Sequence, residues 1–107
     1  MSASLEVIPP KDRIELGNGH YADPLSCYAH PEEGITHYEE WHPRPDNGEM
    51  CVGMVAIKRH GHGKRSDGSP QPEWDRVSEH PLTLTPSILC RVCGNHGYIR
   101  ENQWVEA

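Results

Sequence analysis

The chain lacks phenylalanine altogether and holds little other aliphatic material from which to build a core. Leu, Ile and Val occur six times each, so 18 of the 107 residues, about 17%, belong to these three types. Charged chains below roughly 20% of such residues tend to be disordered. Burial of apolar side chains alone is therefore a weak driving force here, and cross-links or a bound metal are the usual remedy for a small core.

The sequence also lacks an excess of basic residues and any long apolar run. Its 10 Lys and Arg face 16 Asp and Glu, for a formal charge of −6. This balance disfavours tight nonspecific binding to nucleic acid, which requires cations to neutralise phosphates. We expect no membrane-spanning segment, because no stretch of about 18 apolar residues exists. The first residues show no signal-peptide pattern, so a cytoplasmic location is expected, where cysteines stay reduced.

Strand and turn signals predict a mostly β fold, a small zinc-stapled single domain over residues 1–107 with long loops. No segment has a 3.6-residue apolar period, which a helix would show. The best strand is Met50–Ile57, which is apolar on both faces apart from a glycine and is expected to lie centrally. Leu82–Thr85 alternates with period two, and 98–105 predicts a closing hairpin that turns at Glu101-Asn102. Shorter strands are expected at 12–16 and 74–77, whereas 37–41 could be a strand or a turn.

Two segments are predicted to lie outside the regular structure. Residues 1–11 are expected to form an extended arm, since Pro9 and Pro10 block a helix there. Residues 58–72 are polar and rich in Gly and Ser, and they predict a mobile loop.

The strongest chemical signal is the pair Cys90 and Cys93. Two thiolates separated by two residues can hold one tetrahedral ion, because the turn between them directs both sulfurs inward. Gly94 is consistent with this, since such turns often need a residue that accepts a positive φ. His96, three residues beyond Cys93, could add an imidazole from the same loop.

A second half-site, Cys27 and His30, has the same spacing. The expected zinc ligands are therefore Cys27, Cys90, Cys93 and either His30 or His96, so that the ion would join two distant segments. Cys51 lies in the apolar Met50–Ile57 run and is interpreted as a buried small hydrophobic residue. The alternatives are plain core cysteines or a redox dithiol, but a thioredoxin-like dithiol requires a βαβ setting that the sequence lacks.

A family resemblance is carried by Thr83-Leu84-Thr85-Pro86-Ser87-Ile88, then Cys93-Gly94-Asn95-His96, then Tyr98-Ile99-Arg100 and Trp104. This pattern resembles a family of short zinc-binding proteins of unknown function that is common in bacteriophages and their hosts. The likeness covers about a quarter of the chain. It implies a compact β fold, a zinc ion and a phage setting, and hence the host cytoplasm, but it supplies no activity. Many relatives carry an upstream cysteine knuckle. In this chain only Cys27 and His30 could take its place.

Two charged segments could bind partners. Lys58, Arg59, Lys64 and Arg65 are candidate phosphate contacts for nucleic-acid binding, although a solvated loop is the favoured interpretation. Residues 32–49 hold six carboxylates against one Arg. They could imitate a nucleic-acid backbone toward a host protein, and again a solvated surface is the commoner explanation.

The leading functional hypothesis is a nonenzymatic module, phage-encoded, that binds a host or phage protein. The first alternative is a nucleic-acid-binding module that uses the basic segment. The second is a metal-dependent nuclease or hydrolase, for which His37, His42 and His80, with Asp75 and Glu79, are the available acid–base groups. No nucleophile or phosphate-binding motif accompanies them, so we expect no enzyme.

Overall fold

Two antiparallel-rich β-sheets form the protein in a computed structural model that describes residues 12–27, 29–61 and 64–107. The predicted N-terminal arm, residues 1–11, lies outside the described residues. The first sheet contains six strands, which are β1 Ile14–Gly17, β2 His20–Ser26, β3 Ile35–Pro43, β4 Met50–Ile57, β5 Glu73–Glu79 and β6 Leu82–Thr85. The second sheet contains three, which are β7 Ile88–Leu89, β8 His96–Arg100 and β9 Gln103–Glu106.

Strand order in both sheets follows chain order. Neighbouring strands are antiparallel except β4 and β5, which run parallel and pair only at Ala56 with Glu73 and Ile57 with Trp74. A single-turn 3₁₀ helix, Pro31–Glu33, lies between β2 and β3. The prediction of a mostly β fold is therefore confirmed.

The closing hairpin is confirmed as β8 and β9, joined at Glu101 and Asn102. Both residues have positive φ, 48° and 59°, as a two-residue hairpin turn requires. The turn also attaches the second sheet to the first. Asn102 Oδ1 accepts a hydrogen bond from the N–H of Leu82 at 2.6 Å, and the N–H of Asn102 donates to the Leu82 carbonyl at 3.0 Å.

Residues 37–41, which the sequence leaves open between a strand and a turn, belong to strand β3. It runs over nine residues with strictly alternating burial, and its inward positions are occupied by Thr36, Tyr38, Glu40 and His42. Successive side chains of a strand point to opposite faces, so these four share the face that packs on the core. A buried carboxylate and a buried imidazole thus lie side by side on one strand.

Strand β4 has the predicted bounds and the predicted central position in its sheet, but its outer face is exposed. Its outward side chains Met50, Val52 and Met54 are 43%, 42% and 57% exposed, whereas Val55 is buried. Nothing among the described residues packs over this outer face, so its apolar side chains remain exposed.

The core lies between the inner faces of the two sheets. Its members are the apolar side chains of both sheets, including all of the buried tryptophans. They are Leu16, Ala22, Tyr38, Val55, Ile57, Trp74, Leu82, Leu84, Ile88, Ile99 and Trp104.

The segment between β4 and β5 is partly organised by local hydrogen bonds. The N–H of Arg65 donates to the Ser69 carbonyl at 2.9 Å, and Asp67 Oδ1 accepts from the N–H and hydroxyl of Ser69. Lys64 and Pro70 form an isolated bridge at the base of this turn. No helix among the described residues is long and apolar enough to cross a membrane.

Candidate metal centre

Four side chains that can ligate a metal converge where the two sheets meet. They are His42, Cys51, Cys90 and Cys93, and their ligating atoms all lie within 4.8 Å of one another. His42 is fully buried and the three cysteines are half-buried. Every cysteine of the chain is a free thiol.

The β3–β4 hairpin supplies His42 and Cys51. The two residues are directly opposite each other in the antiparallel ladder, so their side chains lie on the same face as neighbours. The turn that sets this register is closed by hydrogen bonds from the N–H of Arg44 to the Glu49 carbonyl, 2.8 Å, and from Gly48 to the Arg44 carbonyl, 2.9 Å.

The loop between β7 and β8 supplies Cys90 and Cys93. The N–H of Gly94 donates to the Cys90 carbonyl at 2.8 Å, and the N–H of Cys90 donates to the Asn95 carbonyl at 2.8 Å. Gly94 takes φ of 81°, a conformation that glycine adopts without strain. This is the tight turn that the Cys-x-x-Cys spacing predicts, and it directs both sulfurs toward the β3–β4 hairpin.

The surroundings of Cys90 and Cys51 shift the pKa values of the two thiols in opposite directions. Burial opposes ionisation of Cys90, but hydrogen bonds from the backbone N–H groups of Cys93 and Val92, together with the neighbouring thiols, lower its pKa to about 7. Burial raises the pKa of Cys51 to about 11, and the adjacent Cys90 adds to the rise. Backbone donors directed at the first cysteine stabilise a thiolate there, which is the form that binds metal.

Glu40 orients the imidazole of His42. His42 Nδ1 donates to Glu40 Oε2 at 2.5 Å, and both side chains are almost fully buried. With its proton on Nδ1, the ring presents the Nε2 lone pair to the thiols, 3.1 Å from Cys93 Sγ. Burial raises the pKa of Glu40, and the hydrogen bond from His42 opposes this rise. Carboxylates in this position are a recurrent second layer around metal-bound histidines.

His20 packs the other side of the centre. Its ring stacks on Trp104 with centroids 4.6 Å apart and lies 6.0 Å from His42. Burial, followed by the proximity of His42, lowers the pKa of His20. The His20 ring therefore lies against both Trp104 of the core and His42 of the centre.

The four ligand atoms are close enough together to hold one metal ion. With metal–sulfur and metal–nitrogen bonds of about 2.3 and 2.0 Å, ligand atoms in such a shell are separated by about 3.5 to 3.8 Å. Cys51 Sγ and Cys90 Sγ are 3.6 Å apart. That separation is far beyond the roughly 2.05 Å of a disulfide. Three thiols and one imidazole are a donor set typical of structural zinc.

The structure brings together only part of the expected ligand set. Cys90 and Cys93 belong to the group as predicted, but Cys27 and His30 do not. They lie in the β2–β3 connection, where His30 is largely exposed and contacts Glu32 at 3.3 Å. Strand β3 separates this connection from His42 by about eight residues at 3.3 Å each, or about 26 Å, so Cys27 and His30 cannot reach the centre.

His96 is also outside the group. It is exposed on β8, and its Nε2 contacts the Ser87 hydroxyl at 2.8 Å. The next inward positions of β8 are Gly97 and Ile99, so strand alternation turns His96 to the other face.

Sequence reasoning missed His42 and Cys51. Cys51 was assigned to the apolar packing of its strand, and its side chain instead joins the thiol group. The turn at residues 44–49 could have indicated both residues, because a hairpin with that turn makes positions 42 and 51 cross-strand neighbours.

The four basic candidates lie after β4, away from the metal centre. Lys58 Nζ is 3.8 Å from Asp75, Arg59 has a positive φ of 79°, and Lys64 and Arg65 sit on the turn that follows. Glu73 accepts a hydrogen bond from the N–H of Gly61 at 2.8 Å. Carboxylates are thus interleaved with the cations on this surface.

Glu40→Gln is expected to weaken zinc binding roughly 10- to 100-fold, because an amide holds the His42 tautomer less well than a carboxylate does. Competition with a chromophoric chelator measures the change. Glu39→Gln is the matched control, since Glu39 is the adjacent residue on the outward face of the same strand. Equal affinities for the two variants would contradict a role for Glu40 in orienting the ligand.

Comparison of the chain with protein-family models, with curated proteins and with solved structures gives no match. The resemblance to the phage-associated zinc family stays a prediction.

Proposed function

We propose that the protein is a zinc-stabilised domain in which one Zn²⁺ joins the β3–β4 hairpin to the β7–β8 loop. The observation that carries this proposal is the convergence of His42, Cys51, Cys90 and Cys93 from both sheets within 4.8 Å. Cysteine-rich tetrahedral sets are characteristic of structural zinc, whereas catalytic sites keep one position for water or substrate. Four protein ligands would fill the shell, so the role that fits is structural.

The biochemical role we propose is that of a nonenzymatic interaction module that binds another protein. In the phage setting that the family resemblance implies, the partner would be a host or phage protein. Support comes from Val92 and Leu89, which flank Cys90 and are 70% and 55% exposed. A metal-fixed turn that displays apolar side chains to solvent is a suitable contact surface, because exposed apolar groups favour association.

Metal content per chain, measured by elemental analysis of purified variants, tests the zinc site. His42→Ala, Cys51→Ser, Cys90→Ser and Cys93→Ser are expected to lose stoichiometric zinc, because each removes one corner of the shell. Cys27→Ser, His30→Ala and His96→Ala are expected to retain it, because none of these residues belongs to the group of four.

The cysteine variants provide the matched comparison, since the same substitution is made inside and outside the group. Loss of zinc from Cys27→Ser together with retention by Cys51→Ser would overturn the assignment. The same pair tests the interaction role, because proteins captured from host extract by the wild type should be retained by Cys27→Ser and lost by Cys51→Ser.

A further inference from the structure

One edge of β4 is paired along only a short part of its length. Strand β3 covers the opposite edge from residue 50 to residue 56. On the other side, β5 begins beside Ala56, pairs with β4 in parallel at Ala56 and Ile57, and continues beyond the end of β4. No strand among the described residues pairs with this side of β4 over residues 50–55.

The direction of the backbone groups on this edge follows from one hydrogen bond. The N–H of Lys58 donates to the Trp74 carbonyl at 2.8 Å, so it points toward the β5 side. Backbone groups alternate in direction along a strand, and residues two apart point the same way. The N–H and C=O of Val52 and Met54 therefore face the open edge.

The side chains along the edge are apolar and exposed. Met50, Val52 and Met54 project from the outer face, and β4 contains no charged residue and no proline. Natural sheets normally protect an open edge with a charge, a proline, a bulge or a covering segment. An open edge with neither a charged side chain nor a proline is suited to pair with another strand.

We propose that this edge pairs with the same edge of a second copy of the chain, antiparallel and with Val52 on the two-fold axis. In that register the outward backbone groups of Val52 meet those of Val52 in the second copy. Met50 then lies opposite Met54 at both ends of the contact, and all six side chains share the outer face. The pairing is isologous, as two-fold dimers require, and joins two sheets into one.

Charge favours a second copy in this orientation. Exposed Glu49 precedes β4, and exposed Lys58 and Arg59 follow it. An antiparallel contact brings the acidic end of each strand toward the basic end of the other, whereas a parallel one would bring like charges together. The uncharged strand between these ends also lets two chains of net charge −6 approach without opposing carboxylates at the contact.

Sedimentation velocity on the zinc-loaded full chain, across a series of concentrations, tests the proposal. The wild type should sediment as two chains at high concentration. Val52→Lys places two like charges directly opposite each other and is expected to raise the dissociation constant on the order of a hundredfold or more. Val77→Lys is the control, since Val77 is 66% exposed on β5 away from this edge. It should leave the dissociation constant unchanged.

A charge-pair experiment tests the register. Met50→Glu combined with Met54→Lys should retain the dimer, because each Glu then meets a Lys of the second copy. Met50→Lys combined with Met54→Lys should dissociate it. Zinc content and thermal unfolding of each variant confirm that the domain is folded.

Three results would overturn the proposal. They are a wild type that remains one chain at every concentration, a Val52→Lys protein that dimerises like the wild type, and equal dissociation constants for the two double variants. If the wild type is a single chain but Val52→Lys releases a protein captured from host extract, the edge serves an unrelated partner and the second copy is rejected. The inference goes beyond the zinc centre, since it rests on backbone pairing and not on the metal.

Discussion

Removal of the metal by a strong chelator is expected to abolish the cooperative thermal unfolding transition of this protein. Structural zinc bound by cysteine and histidine contributes on the order of 10 kcal/mol to folding. The whole stability of a typical domain is only about 5 to 15 kcal/mol. A chain whose Leu, Ile and Val amount to about 17% of its residues has little else with which to replace that contribution.

The position of the centre explains why the loss should be global. His42 and Cys51 belong to the six-stranded sheet, whereas Cys90 and Cys93 precede the second strand of the three-stranded sheet. Without the ion, three thiols and an imidazole would be left crowded in a partly buried space. The junction between the sheets would then depend on the core contacts and on the hydrogen bonds made by the 101–102 turn.

Circular dichroism measures the effect, with and without chelator and after zinc is restored. Tryptophan emission gives a second signal, because Trp104 stacks on His20 beside the centre. Cys27→Ser should melt like the wild type and respond to chelation in the same way. A chelated protein that melts at the same temperature with the same cooperativity would show that no metal stabilises the fold.

How far the sequence predicts this fold depends on what each strand buries. Leu82–Thr85 and the closing hairpin bury ordinary apolar residues at alternate positions, so the period-two pattern finds them. Strand β3 does not follow this rule, because two of its four inward side chains are Glu40 and His42. Their burial is compensated in part by the hydrogen bond between them, which a count of apolar residues does not detect.

Only half of the candidate metal centre, Cys90 and Cys93, could be predicted from the sequence. Cys90 and Cys93 are close in sequence, and local turn chemistry alone brings their sulfurs together. His42 and Cys51 are brought to them by strand register, which sequence spacing does not reveal until β3 is known to be a strand. Cys27 and His30 share the same spacing as the knuckle but serve a turn, in which the N–H of His30 donates to the Cys27 carbonyl at 3.1 Å.

The second sheet contains a position where a single methyl group should be strongly destabilising. A Cβ added at Gly97 would lie 2.5 Å from Cζ2 of Trp104 and 2.7 Å from the carbonyl oxygen of Val105. Neither neighbour can yield cheaply, because Trp104 is 5% exposed and stacked on His20, and Val105 is held in the β8–β9 ladder. Gly97→Ala is therefore expected to destabilise the zinc-loaded protein by about 3 kcal/mol.

Gly53→Ala is the matched control for this effect. Gly53 also lies within a strand, has no positive φ, and an added Cβ would meet nothing within 4 Å. The same substitution there should be neutral, or stabilising by about 0.4 to 1 kcal/mol, because alanine restricts the unfolded chain. Thermal unfolding at fixed excess zinc should place Gly97→Ala more than about 10 °C below Gly53→Ala. Similar melting temperatures for the two variants would contradict the packing of Trp104 against Gly97. They would also contradict the stacking of Trp104 on His20 beside the metal centre.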